Sequence, residues 1–201
     1  FGNPVQHSRS PEIHQAFGEQ MHARIHYERI EAPLDGFREA VKTFFAQGGR
    51  GANVTVPFKE QAFEIAAHAT ERARRADAAN TLWQDQDHGL HADNTDGAGL
   101  VRDLRRNLHW SLEHRRILIL GAGGAVRGVL GELLAAEPVE VMIANRTVDE
   151  AEALAERFGR AGIPVYACGM DAIHGRFDLV INAISAGLHG ELPPLPDELF
   201  S

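Results

Sequence analysis

The 201-residue sequence has a single cysteine, Cys168. That excludes a disulfide framework and favours a reducing compartment. Cys168 ends the apolar run "IPVYAC", where a packed thiol is a better reading than a nucleophile. Positive charge is not in excess either: the formal net charge is −8 and the pI is near 5.7. A dedicated nucleic-acid binder would carry a basic stripe. Here the pairs Arg74-Arg75, Arg105-Arg106 and Arg115-Arg116 are short and read as solvated helix and loop faces. No apolar run approaches the roughly 20 residues that span a bilayer, and no basic-then-apolar leader opens the chain. The expectation is a soluble cytoplasmic protein with no nucleic-acid or membrane partner. His7, His14, His22 and His26 show neither HExxH nor cysteine-supported spacing. They read as surface or packing residues, and no metal site is expected. Internal repeats and low-complexity segments are absent. The chain begins at Phe1 and ends in "PDELFS" without a clear closing element, which reads as an incomplete chain.

Apolar residues make up 44% of the chain, enough for a substantial core. Helical and strand patterns alternate, which argues for an α/β protein. Ser10-Pro11 reads as an N-cap and first-turn proline opening a helix to about His22. "IHYERIEA" alternates as a half-buried strand does. "LDGFREAVKTFFAQGG" is a helix stopped by Gly48-Gly49. "GANVTV" reads as a buried strand, followed by the helical "PFKEQAFEIAAH" and the short helix "TERARRADA". "NTLWQDQDHGLHADN" gives two strands around an Asp-His-Gly turn, and "DGAGLVRDLRRNL" a helix. From residue 112 the character changes to apolar strands alternating with helices, with "IPVYAC" and "FDLVINAI" as further buried strands. A boundary is expected near residues 97–112, with the helix 96–108 as connector, dividing the chain into 1–96 and 97–201.

In the second half, "ILILGAGGAVRG" sets Gly121, Gly123 and Gly124 between a strand and a helix. Glycines allow a tight turn and close approach to a pyrophosphate, and the helix N-terminus supplies free N–H donors. The strict fingerprint G-x-G-x-x-G is not met, because Val126 occupies its third position. The strand, turn, helix and second strand around it strengthen the reading. At the end of the next strand, where an NAD site usually carries Asp or Glu, the sequence has Asn145-Arg146-Thr147. A carboxylate would repel a 2′-phosphate, whereas arginine pairs with it. The expected cofactor is NADP. Thr147 also suits an N-cap.

In the first half, four polar clusters stand at turns: Ser8 and Ser10; Asn53, Thr55 and Lys59; Asn80; and Asp93 to Asp96. Ser8 and Ser10 beside a helix start make a natural cradle for a carboxylate or polyol. Asn53 and Thr55 share one side of a strand by alternation. Lys59 in a helix's first turn is locally unfavourable by roughly 0.3–1 kcal/mol. A lysine and an aspartate among these clusters would make a proton-transferring pair.

The succession "GNPVQHSRSPEIH", "GANVTVPFK", "AANTL", "DNTDG", "GAGGAVRG" and "NRT" resembles the shikimate dehydrogenase family, in order and spacing, over essentially the whole chain. The resemblance implies an N-terminal α/β substrate-binding domain followed by a Rossmann-type doubly wound parallel-sheet NADP domain, with the active site in the cleft between them. It implies NADPH-dependent reduction of 3-dehydroshikimate to shikimate on the route to chorismate and the aromatic amino acids. The chain would act as a monomer or homodimer. Carried over by position, Lys59 and Asp96 are the catalytic pair, with Asp96 and the substrate hydroxyls compensating the cation at the helix start, and Ser8 and Ser10 hold the substrate carboxylate. Asn53, Thr55 and Asn80 hold ring hydroxyls. Gly121, Ala122, Gly123, Gly124 and Ala125 cradle the pyrophosphate, and Asn145, Arg146 and Thr147 face the 2′-phosphate. Family members also extend beyond both ends of this sequence. Asp149 and Glu150 stand where a second arginine is common, which leaves NAD use open. Ile184 and Ser185 replace a commoner hydroxyl pair in a loop expected near the nicotinamide ribose. The alternatives are a quinate/shikimate dehydrogenase preferring NAD, and a fragment that binds ligands without turnover.

Overall fold

The structure, a computed structural model, describes residues 1–159, 162–184, Leu195 and Leu199. The first half holds α1 (Ser10–Gln20), α2 (Phe37–Ala46), β1 (Gly51–Asn53), α3 (Lys59–Ile65), β2 (His68–Ala69), α4 (Glu71–Ala76), β3 (Thr81–Gln84) and β4 (Leu90–Asp93). These strands form a sheet ordered β1-β3-β4-β2, antiparallel except for the β2–β4 pair. α5 (Asp96–Arg106) then leads to β5 (Arg116–Leu120), α6 (Gly124–Leu134), β6 (Glu140–Asn145), α7 (Val148–Phe158), β7 (Val165–Gly169) and β8 (Leu179–Asn182). The second sheet is parallel throughout, ordered β7-β6-β5-β8. Strand order reverses between β5 and β8, and open α/β sheets bind ligands beyond the strand ends at such a switch point.

Each sheet has its own core. Phe37, Phe58, Val41, Val54 and Leu82 fill the first, where the Phe37 and Phe58 rings stack with centroids 4.7 Å apart. Phe58 is fully buried immediately before α3, so it anchors the turn that presents Lys59. The second sheet is covered on both faces: Ile117 and Ile119 of β5 belong to one cluster and Leu118 and Leu120 to another, and all four are fully buried. Burying each such side chain contributes about 1.5–3 kcal/mol.

Several local expectations change. Ser10 is the first helical residue of α1, not its N-cap; Arg9 holds that position, and Ser8 Oγ accepts the Ser10 N–H at 3.3 Å. Among the described residues the segment 25–32 builds no ladder; the bridge it makes there joins Glu31 to Gly2, and Pro4, two residues on, has no N–H to extend it. β1 stops at Asn53 and is part-exposed rather than buried. α3 begins at Lys59 rather than Pro57, and His68 leaves the helical pattern to pair in β2. β7 and β8 flank the described sheet and are only part-buried, with Tyr166 50% exposed. Thr147 sits at the N-cap of α7, but its hydroxyl makes no capping bond.

Two glycines bring the halves together. A Cβ on Gly97 of α5 would lie 2.8 Å from the Gly128 carbonyl oxygen of α6. A Cβ on Gly128 would lie 2.8 Å from the Asn94 amide and 3.0 Å from Asp96 Oδ2. The helices therefore touch backbone to backbone next to Asp96. From α7, Arg157 donates to the Arg74 and Arg75 carbonyls and pairs with Asp77, a cation placed at the C-terminal end of α4.

The β4–α5 turn is fixed by Asp93 and Asn94, the buried polar side chains among the described residues. Asp93 accepts from Thr70 Oγ1 at 2.6 Å, Arg72 Nη2 at 2.5 Å and the Asn94 N–H at 2.7 Å. Burial raises the Asp93 pKa, but the Arg72 and Thr70 hydrogen bonds, the Arg72 charge and the Asn94 N–H outweigh it and hold the carboxyl below its usual range. A depressed folded pKa contributes stability that is complete above the unfolded value of about 3.9 and is lost as pH falls through the folded value.

Gly128→Ala should lower stability by about 1–3 kcal/mol through overpacking. Gly99→Ala, where an added Cβ meets nothing within 4 Å, should stabilise by about 0.5–1 kcal/mol; urea midpoints of the two variants check both. Below about pH 4 the wild-type midpoint should fall with acidity, and Asp93→Asn should start lower and show a shallower acid slope.

Candidate active site

The turn after β1 leads Asn53 and Thr55 toward a cavity of about 410 Å³, which Ser8, Ser10, Lys59, Asn80 and Asp96 also line. The seven residues to which the resemblance gave catalytic or substrate-holding roles therefore meet in one place, whereas Asp93, Asn94 and Thr95 do not line it. Lys59 is the first residue of α3 and Asp96 the first of α5. Their side chains meet with Nζ 2.6 Å from Oδ2, and they are only 14% and 24% exposed. The other Asp96 oxygen accepts from Asn80 Nδ2 at 2.7 Å. Asn80 Oδ1 in turn accepts the Thr95 N–H at 3.0 Å and the Thr81 hydroxyl at 2.8 Å. The carboxylate is thus held from both sides, and its free motion is spent before any ligand arrives.

At the opposite wall, Ser8 Oγ donates to Ser10 Oγ at 3.1 Å. Arg29 Nε donates to the Ser8 carbonyl at 2.8 Å, and Arg29 pairs with Glu12, which fixes the loop before α1. His14 Nδ1 donates to the Ser10 carbonyl at 2.9 Å, and its ring stacks on Tyr27 at 4.1 Å. The Tyr27 hydroxyl donates to Asn53 Oδ1 at 2.8 Å. Burial pushes the Tyr27 phenol above its ordinary value, outweighing the opposing hydrogen bonds of Ser10 and Asn53, so it stays a donor at neutral pH. Tyr27 and the lining role of His14 were not visible in the sequence. The only local signal is a tyrosine within an alternating stretch, and His14 reads there as a surface or packing residue.

The glycine turn adjoins this cavity. Gly121 has φ +107, which favours glycine, and its N–H donates to the Ala144 carbonyl at 2.8 Å. At Gly123, the N-cap of α6, an added Cβ would meet no protein atom within 4 Å. At Gly124 it would lie 3.2 Å from Lys59 Cβ, so the start of α6 sits against the catalytic candidate. Arg127, one turn on, reaches Glu60 at 3.6 Å. The first turn of α6 carries no acid. A helix start with free N–H groups, no competing carboxylate and a glycine approach fits a pyrophosphate. Asn145 ends β6 beside this turn and donates to the Thr147 carbonyl at 2.9 Å and Glu150 at 2.8 Å. Arg146 and Thr147 are exposed next to it, and the Arg146 guanidinium suits a phosphate. Of the 184–185 pair, Ser185 lies outside the described residues.

Residues 1–82 match the model of the shikimate dehydrogenase substrate binding domain, and residues 103–189 that of shikimate / quinate 5-dehydrogenase. The chain is 61% identical to the shikimate dehydrogenase (NADP(+)) of Alcanivorax borkumensis over its whole length, covering 72% of that protein. It is 56% identical to the Marinobacter nauticus protein of the same name, covering 73% of it. Among solved structures, shikimate 5-dehydrogenase from Thermus thermophilus in complex with NADP(H) and shikimate aligns with a TM-score of 0.84 at 34% identity, over 99% of this chain and 72% of that one. The Ael1 enzyme from Pseudomonas putida gives the same TM-score at 44% identity, over 97% and 71% of the two chains. The paired carboxylate and lysine, the glycine turn and these matches together make the chain a member of the shikimate dehydrogenase family.

Proposed function

We propose that this chain carries out NADP-dependent interconversion of shikimate and 3-dehydroshikimate, with Lys59 and Asp96 as the catalytic residues. The observation that carries the reading is the 2.6 Å Lys59–Asp96 pair in the cavity wall, with the start of α6 packed against Lys59. The division into a substrate domain, 1–96, and a cofactor domain, 97–201, rests on the core of the first sheet being separate from those of the second.

Ser8 and Ser10 hold the substrate carboxylate, and the Arg29 contact keeps their loop in place. Asn53, Thr55 and Asn80 bind ring hydroxyls, and Tyr27 orients Asn53 through their hydrogen bond. Gly121, Ala122, Gly123, Gly124 and Ala125 hold the pyrophosphate at the start of α6. Asn145, Arg146 and Thr147 face the adenosine 2′-phosphate. The nicotinamide, when bound, supplies or accepts the hydride.

The work of the protein is the proton. During reduction negative charge grows on the ring carbonyl oxygen. Lys59 Nζ stabilises that charge and delivers a proton to it; in the reverse direction it takes the hydroxyl proton. Asp96 receives two hydrogen bonds, from Lys59 and Asn80, so it fixes where the ammonium points and accepts from a neighbouring substrate hydroxyl. Positioned general acid–base groups of this kind contribute about 10²–10⁴-fold.

Shikimate oxidation in the intact protein, followed at the nicotinamide absorbance band with NADP and NAD compared, tests the reading. NADP-dependent turnover should appear. It should fall about 10³-fold in kcat for Lys59→Ala with a smaller change in KM. Arg146→Ala should raise KM for NADP while leaving that for NAD nearly unchanged. Saturable NADP binding without turnover of shikimate would overturn the substrate assignment, and a preference for NAD would overturn the role of Arg146.

A further inference from the structure

On the sheet of the first half, away from the cavity, three ligand-type side chains converge. His68 of β2 and His91 of β4 are partners in the parallel ladder, and their rings lie 4.7 Å apart. Trp83 of β3 is the antiparallel partner of His91 and stacks on it at 5.2 Å. Asp85 lies two residues beyond Trp83, and alternation puts it on the same face. His91 Nε2 lies 2.8 Å from Asp85 Oδ2. The other oxygen, Oδ1, accepts the Asp87 N–H at 3.0 Å and the Gly89 N–H at 2.8 Å. Opposite Asp85 stands Gly89, whose N–H and carbonyl both bond to it. A Cβ there would lie 3.1 Å from Asp85 Oδ2 and 3.4 Å from His68 Cδ2. The absence of a side chain at Gly89 is what lets the two groups approach.

One ligand atom from each of His68, Asp85 and His91 lies within 4.8 Å of the other two. We propose that these three residues form a binding site for a borderline divalent transition metal, of which Zn²⁺ is the best match. Zinc takes imidazole nitrogen and carboxylate oxygen at about 2.0–2.2 Å, so tetrahedral ligands stand about 3.3 Å apart. The His91–Asp85 contact is already closer than that. The exposed His68 ring is the group that must swing inward. Two imidazoles and one carboxylate suit zinc, copper or nickel rather than the oxygen-preferring magnesium or calcium. Backbone N–H groups hold the second Asp85 oxygen as an outer partner of the metal ligand, and the Trp83 ring packs on His91. All three ligands reach solvent to some degree, so a water completes the coordination. β2 is two residues long and pairs through His68 and Ala69. A metal bound here ties that strand to the β3–β4 hairpin and contributes stability in proportion to its occupancy. The site stands apart from the proposed catalytic chemistry, since none of the three residues lines the substrate cavity.

The test is calorimetric titration of the intact, metal-free protein with Zn²⁺ alone, with Cu²⁺ quenching of Trp83 fluorescence as a local readout. The expected result is saturable uptake at one site. Affinity should drop about 100-fold or more on removal of a ligand, as in His68→Gln or His91→Ala, and stay unchanged in a His22→Ala, His26→Ala control. Cu²⁺ quenching should vanish in Trp83→Phe while Zn²⁺ uptake remains. Far-UV circular dichroism checks that each variant is folded. His68→Gln alters an exposed side chain and decides the matter if His91→Ala fails to fold. Absence of saturable uptake by the wild type, or uptake unaffected by His68→Gln, would overturn the proposal. In the first case the triad is a hydrogen-bonded cluster; in the second the metal sits at another of the eleven histidines.

Discussion

The ion pair between Lys59 and Asp96 is the contact around which the two halves are arranged. Each residue begins a helix, α3 and α5, and their side chains meet at 2.6 Å with most of their surface withdrawn from water. A pair so placed gives up hydration, and geometry must repay it. Here the repayment is visible. Asp96 sits at a helix start, where the backbone dipole favours an acid, and its second oxygen is held by Asn80. Lys59 sits at a helix start that disfavours it, and Asp96 compensates. A charge held in an unfavourable place by one partner is available to a second oxygen that develops negative charge nearby.

Geometry around the pair is enforced by close packing rather than by long side chains. Gly128 allows α6 to pass against Asn94 and Asp96, and Gly124 allows its first turn to pass against Lys59. The helix start read as the pyrophosphate cradle is thereby fixed relative to the proton-transferring pair. Phe58, buried against Phe37 directly before Lys59, fixes the other side. Substrate-side hydroxyls and amides reach the same cavity from α1, β1 and the start of β3.

Much of this was legible in the sequence because it is local. The glycines after "ILIL" marked a tight turn, and Gly121 there has φ +107. "NVTVPFK" and "DNTDG" marked the positions of Lys59 and Asp96, and a lysine at an unfavourable helix start makes sense with an anionic partner. What was not legible depends on partners distant in the chain. Segment 25–32 alternated like a strand but, among the described residues, bridges to Gly2 alone. Tyr27 reaches Asn53 across 26 residues. Gly97 and Gly128 look like ordinary helix-weakening glycines until the helices that need them are brought together. His68 read as the tail of a helix and became half of a cross-strand histidine pair. Burial of β7 and β8 was overestimated, because apolar content does not reveal which strands flank the described sheet.

The most direct test of the central claim is a double-mutant cycle on kcat/KM for shikimate oxidation, using Lys59→Met, Asp96→Asn and the pair. If the two residues act as one unit, the double variant should lose little more activity than the worse single variant, because effects within a catalytic unit are not additive. If the losses simply multiply, Lys59 and Asp96 work independently, and the account of a single coupled proton-transferring pair is wrong.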